Sequence, residues 1–150
     1  MIVSIDGIGA YDHISRAAML TKLASLPTAC QALPFVRMFY AQPPTYWWTD
    51  ADGTTHEIVQ AEGGEQGDAL MPPLYALGQH EGLVTAQRLL PEGDTLVAYL
   101  DDIYLLTQRQ HARVAFDIVT GCIAEHCGVS ANMGKCPARP GSFGGGRLAG

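Results

Sequence analysis

The sequence predicts an α+β domain: an antiparallel sheet in ferredoxin-like, split βαβ order, helices on one face, and an inserted β-hairpin. Three observations carry that prediction. β-rich runs and helical periods follow one another, hairpin and extra helix aside, as strand, helix, strand, strand, helix. The run VAYLDDIYLLT, Val97 to Thr107, is apolar except for two adjacent carboxylates, Asp101 and Asp102, at its middle. With 150 residues, 47% of them hydrophobic, the chain has material for one core and too little for two.

The elements follow in order. Ile2 to Ile5 is a short apolar strand that ends at Asp6. Amphipathic spacing predicts a helix from about Ser15 to Leu26, stopped by Pro27, and a second from about Ala29 to Tyr40, ending before Pro43 and Pro44. TYWWTDADGTTHEIV holds two β-rich runs around Asp52 and Gly53, a hairpin signal. The loop AEGGEQGD precedes a helix from about Asp68 to Leu83, in which Pro72 and Pro73 are tolerable only in the first turn. After a Pro91 to Asp94 turn come the strands of VAYLDDIYLLT, read as buried on both faces, with Asp101 and Asp102 at the turn. A helix from about Gln110 to Cys127 has its apolar residues at i, i+3 and i+4, with Gly128 as left-handed terminator. A short last strand is expected near Val129, and RPGSFGGGRLAG reads as loose.

In this order the first and third core strands lie side by side at the sheet centre, which brings Asp6 beside Asp101 and Asp102. Carboxylates among apolar neighbours lose hydration worth several kcal/mol each unless something compensates. Three of them from two neighbouring strand ends can share two divalent cations, and hard oxygen ligands suit magnesium. A solvated acidic turn is the alternative.

Composition excludes several classes. No apolar run reaches the roughly 18 residues of a membrane span, and MIVSID lacks the basic start of a signal peptide, so the expectation is an intracellular, soluble protein. Cys30, Cys122, Cys127 and Cys136 lack CxxC spacing and fit a reduced compartment; His111, His126 and three of these cysteines do not repeat at zinc-ligand spacing. A net charge of -6 argues against a self-sufficient nucleic-acid binder, which needs a basic stripe for phosphates.

The stretches SIDGIGAYDHI, AEGGEQGDALMPPLYAL, VAYLDDIYLL and GVSANMGK stand in the order of the four palm motifs of reverse transcriptases. The chain resembles that family, the non-LTR retrotransposon and group II intron type in particular, over residues 2 to 136. The resemblance implies a polymerase palm over 1–136, followed by a glycine-rich flexible tail over 137–150. It implies RNA-directed DNA synthesis on an RNA template from a DNA primer, with deoxynucleoside triphosphates and two magnesium ions, manganese being a possible substitute. Fingers and thumb regions that hold the triphosphate and duplex in the family would be missing partners, and would supply positive charge.

Residue by residue, the resemblance makes Asp6 and Asp101 the principal metal ligands, Asp102 their auxiliary, and the Gly7 carbonyl a further ligand. Tyr11 matches the flat side chain under the incoming sugar that leaves no room for a 2′ hydroxyl; viral RNA-dependent RNA polymerases lack an aromatic there. Gln66 and Gly67 match the pair that meets the templating base pair, and Lys135 the lysine that protonates departing pyrophosphate. Each also has a plain reading: Tyr11 as a core tyrosine, Gln66 and Gly67 as a capping loop, Lys135 as a surface lysine. Asp68, Met71 and Pro73 depart from the family pattern. Tyr46, Trp47 and Trp48 read as hairpin packing or base stacking, and Asp12 as bracing a helix entry. An inactive retroelement-derived remnant that acts as a binding module is the alternative of different class.

Overall fold

The computed structural model describes residues 1–65 and 67–139. Its main sheet contains β1 (Ile2–Ile5), β4 (Thr95–Tyr99), β5 (Asp102–Leu106) and β6 (Ala138–Arg139) in the order β4-β5-β1-β6. Each neighbouring pair is antiparallel, and β1 and β5 hold the centre in the register Ile5↔Ile103. Val3, Ile5, Ile103 and Leu105 are buried, whereas Ile2, Ser4 and Tyr104 between them are more exposed, the alternation of a sheet covered on one face. The covering helices are α4 (Met71–Leu89) and α5 (Ala112–Cys127). Leu74, Tyr75, Phe116, Val119 and Ile123 from these helices join the strand residues in one core.

Between β1 and the second half of the sheet lie α1 (Ala10–His13), α2 (Arg16–Ser25), α3 (Leu33–Tyr40) and the hairpin of β2 (Thr45–Thr49) with β3 (Thr55–Val59). Ser15 caps α2 by accepting from the Ala18 N–H at 3.3 Å, and Pro27 follows its end. The predicted 29–40 helix is a 3₁₀ turn, Ala29–Ala32, followed by α3 with Pro34 in its first turn. Asp50 Oδ1 accepts from the N–H groups of Asp52 and Thr54, closing the hairpin loop in which Gly53 has φ 80°. Gly128 ends α5 at φ 75°, as its position predicts. Among the described residues no helix is long and apolar enough to cross a membrane.

Four expectations need correction. The last strand is not near Val129 but at β6. Val129 is 3% exposed and plugs the core beneath Gly7, where a Cβ would come 2.7 Å from its Cγ1. Neither β4 nor β5 is buried on both faces, because the helices cover one face only: Tyr104 is 39% exposed, and on the edge strand β4 Val97 is 51% and Tyr99 75% exposed. The turn between β4 and β5 is Leu100–Asp101, because Tyr99 pairs with Asp102. Finally, α4 runs from Met71 to Leu89, starting later and ending later than predicted. Pro72 and Pro73 fall in its first turn, and it runs on past Leu83; within it a Cβ at Gly82 would lie 3.2 Å from the Cys122 carbonyl, so glycine serves the close approach of α5. Of the expected 137–150 tail, residues 140–150 lie outside the described residues.

Candidate active site

Asp6 leaves β1 and Asp101 stands in the Leu100–Asp101 turn; both line a cavity of about 10 Å³, the room of roughly one water, with Gly7, Tyr75 and Ser130. Continuing the β1–β5 register one residue beyond Ile5↔Ile103 sets Asp6 across from Asp102. Directly opposed residues on antiparallel strands have Cα atoms about 4.5–5.5 Å apart. Asp102 is exposed at the head of β5 and lines neither this cavity nor the cleft beside it. Among the described residues, no three His, Cys, Asp or Glu side chains gather into a metal-binding group.

Gly7 is held by the segment that follows α5. Ile8 donates its N–H to the Ser130 carbonyl at 2.8 Å and Asn132 donates to the Asp6 carbonyl at 2.7 Å. These bonds flank Gly7 opposite Ala131, the pattern of a non-hydrogen-bonded pair, so Gly7's own N–H and C=O point away from that segment. The same tie fastens the Asn132–Lys135 stretch to the end of β1. Lys135 itself is exposed in the turn Met133–Lys135 and lines neither cavity.

Tyr11, on α1, is half-buried and stacks on Tyr75 of α4, with ring centroids 4.7 Å apart at 20°. One edge of it lines a cleft of about 520 Å³ with Glu65, Gly67, Asp68 and Asp101. Tyr11 and Gly67 are thus brought to one cleft with Asp101, whereas Gln66 lies outside the described residues. Burial pushes the Tyr11 hydroxyl above its ordinary pKa, and the charge of Asp101 adds to the rise. Tyr75 is pushed up the same way, by burial first, then by Cys127 and Asp101. Both phenols are therefore neutral at physiological pH beside an acidic rim. Glu65, Asp68 and Asp101 together repel a phosphate-bearing ligand unless cations stand between.

Asp68, one of three residues that depart from the motif the sequence resembles, has a structural task. Its Oδ1 accepts from the Leu70 N–H at 2.8 Å at the entry to α4, and Tyr40 donates its hydroxyl to Oδ2. Burial raises the Tyr40 hydroxyl, and the bond to Asp68 raises it further.

Arg16 is a residue the sequence reading passed over. It is 7% exposed; its Nε donates to the Gly63 carbonyl at 2.8 Å, its Nη1 to Gln42 at 3.0 Å, and its guanidinium lies 5.7 Å from the Tyr40 ring centre. The Glu62 carboxylate accepts from its backbone N–H at 2.7 Å. Gly63 and Gly64 in turn donate to the Ile14 and Tyr11 carbonyls at 2.9 and 3.0 Å, so this loop clamps the helix that carries Tyr11. A signal existed: a cation in the first turn of a helix opposes the helix dipole and needs another reason to be there.

No family model matches the chain, and no curated protein matches it. Among solved structures, telomerase from Candida albicans in complex with a TWJ fragment of telomeric RNA is similar with a TM-score of 0.62 at 16% identity. The match covers 94% of this chain, which spans 28% of the length of that telomerase chain. At this identity the likeness is one of fold: the chain has a palm-like, reverse-transcriptase-like α+β fold.

Proposed function

We propose that this chain is the palm of an RNA-directed DNA polymerase, of the non-LTR retrotransposon and group II intron type, which adds deoxynucleotides to a primer 3′ end. The observation that carries the reading is the convergence of Asp6, Asp101 and Tyr11, from separate elements, on adjoining cavities. Its partners would be an RNA template, a DNA primer and deoxynucleoside triphosphates, together with fingers and thumb regions of a larger protein.

The donor set fits magnesium. Two carboxylates and the Gly7 carbonyl, turned away from the segment after α5, are hard oxygen ligands, and magnesium is commonly held by one or two carboxylates while substrate phosphates and water fill the remainder. Asp6, Asp101 and the Gly7 carbonyl would hold the ions, with Asp102 as auxiliary. Bound in a pair, such ions stabilise charge on the attacking and leaving oxygens of an in-line displacement. Tyr11, fixed against Tyr75, would lie under the sugar and exclude a 2′ hydroxyl, and Gln66 with Gly67 would meet the template pair. Lys135 would donate a proton from Nζ to the departing pyrophosphate.

The acidic rim supports a second reading, an inactive remnant that binds a partner. Magnesium-dependent primer extension on an RNA template separates the two. It is measured in this chain, in a longer protein carrying it between fingers and thumb regions, and in Asp101→Asn of each. Extension by the longer protein that falls at least a thousandfold in Asp101→Asn is expected. No extension by the longer protein would overturn the polymerase reading in favour of the remnant, and extension that survives the substitution would remove Asp101 from the role of holding the ions.

A further inference from the structure

The turn that carries Asp101 has a backbone its sequence does not favour. Leu100 sits at φ 54°, the one non-glycine residue with positive φ among the described residues, at the first central position of the two-residue turn between Tyr99 and Asp102. Turns with positive φ at that position alone give it to glycine, because a Cβ there meets the neighbouring peptide. Such a conformation persists only where the surroundings impose it.

Gln79 imposes it. It lies on α4, is 3% exposed, and donates from Nε2 to the Leu100 carbonyl at 2.6 Å. Its Oε1 is buried with no hydrogen-bond partner. On the inward face of α4 it stands among Tyr75, Gly78, Gly82 and Ala86, where an apolar side chain would avoid the desolvation of that amide. A half-satisfied amide at such a place is explained by its single bond, which ends next to Asp101.

We infer that Gln79 is a positioning residue: by holding the Leu100 carbonyl it locks the turn in the strained form that sets Asp101 beside Asp6. This rests on the reading of Asp6 and Asp101 as a cation-binding pair.

The test measures two quantities in the full chain. One is amide hydrogen exchange at Leu100 to Asp102; the other is Mn²⁺ affinity by titration. Gln79→Leu should speed exchange at the turn and weaken Mn²⁺ binding about tenfold, the weight of one buried hydrogen bond, while amides of α5 keep their protection. Adding Leu100→Gly to Gln79→Leu should restore both, since glycine needs no external hold. Gln79→Met serves if Gln79→Leu does not fold. Unchanged turn exchange in the folded variant, or no rescue by Leu100→Gly, overturns the role of Gln79. If the wild-type chain and Asp101→Asn bind Mn²⁺ equally or not at all, the cation-pair reading fails, and the exchange data still decide whether Gln79 holds the turn.

Discussion

Arg16→Met should loosen the clamp around Tyr11, and the structure sets the size of the effect. Methionine keeps the apolar stem of the arginine but removes the donors to Gly63 and Gln42, which stand at 2.8 and 3.0 Å. Hydrogen bonds involving a charged group contribute about 1.5–3 kcal/mol each. Relief from burying a guanidinium offsets part of that loss, leaving a net destabilisation of about 2–4 kcal/mol. For a domain of this size with a urea m-value of about 2 kcal/mol/M, the unfolding midpoint should fall by about 1–2 M. Arg16→Lys should fall nearly as far, because an ammonium cannot span two carbonyls as the planar fork does. Exchange at the Gly63 and Gly64 amides, bonded to Ile14 and Tyr11, should accelerate before global unfolding in both variants. A midpoint within about 0.3 M of wild type for Arg16→Met, or wild-type protection at Gly63, would refute the clamp.

Other outcomes follow from the same geometry. Gly63→Ala should destabilise by about 2–4 kcal/mol in urea unfolding, since its φ is 66° and a Cβ would lie 2.3 Å from the Asp12 and Tyr11 backbone; a shift under half a kcal/mol would contradict the packing. In a primer-extending form of the protein, Tyr11→Ala should admit ribonucleotides, read as the ratio of ribo- to deoxynucleotide incorporation; an unchanged ratio removes the sugar-checking role. Burial pushes the Cys127 thiol from an ordinary 9.0 up to about 11. Its neutral form is favoured in the fold, so the stability it contributes is complete below pH 9 and lost as pH rises toward 11, by about 2–3 kcal/mol. Cys127→Ala should lessen the fall in stability between pH 9 and 10, leaving the part due to Cys122, whose thiol burial also raises; an unaltered slope there would disprove the assignment.

Much of the fold was legible in the chain because local rules and tertiary packing agree there. Ser15 and Pro27 bracket α2, Pro72 and Pro73 open α4, and Gly128 closes α5, each through backbone geometry that does not depend on distant partners. Legibility failed where long-range contact overrode the local cue. The helix α4 is expected to end near Leu83, yet it continues to Leu89, and the missing side chain of Gly82 lets α5 approach it. A short strand is expected near Val129, yet the core beneath Gly7 takes that residue as a plug.

The division at the candidate site is similar. By itself the sequence determined that Asp6, Asp101 and Asp102 stand at strand ends, and that the strand order makes those ends neighbours; both follow from period and order alone. Only the tertiary structure decided that the turn is Leu100–Asp101, that Asp6 and Asp101 share a cavity while Asp102 stands outside it, and that Tyr11 leans on Tyr75. It also decided which buried polar side chains, Arg16 and Gln79, hold the loops around these residues. A side chain's partners many residues away leave no mark on its neighbours in sequence, and a buried hydrogen bond is set by packing rather than by propensity.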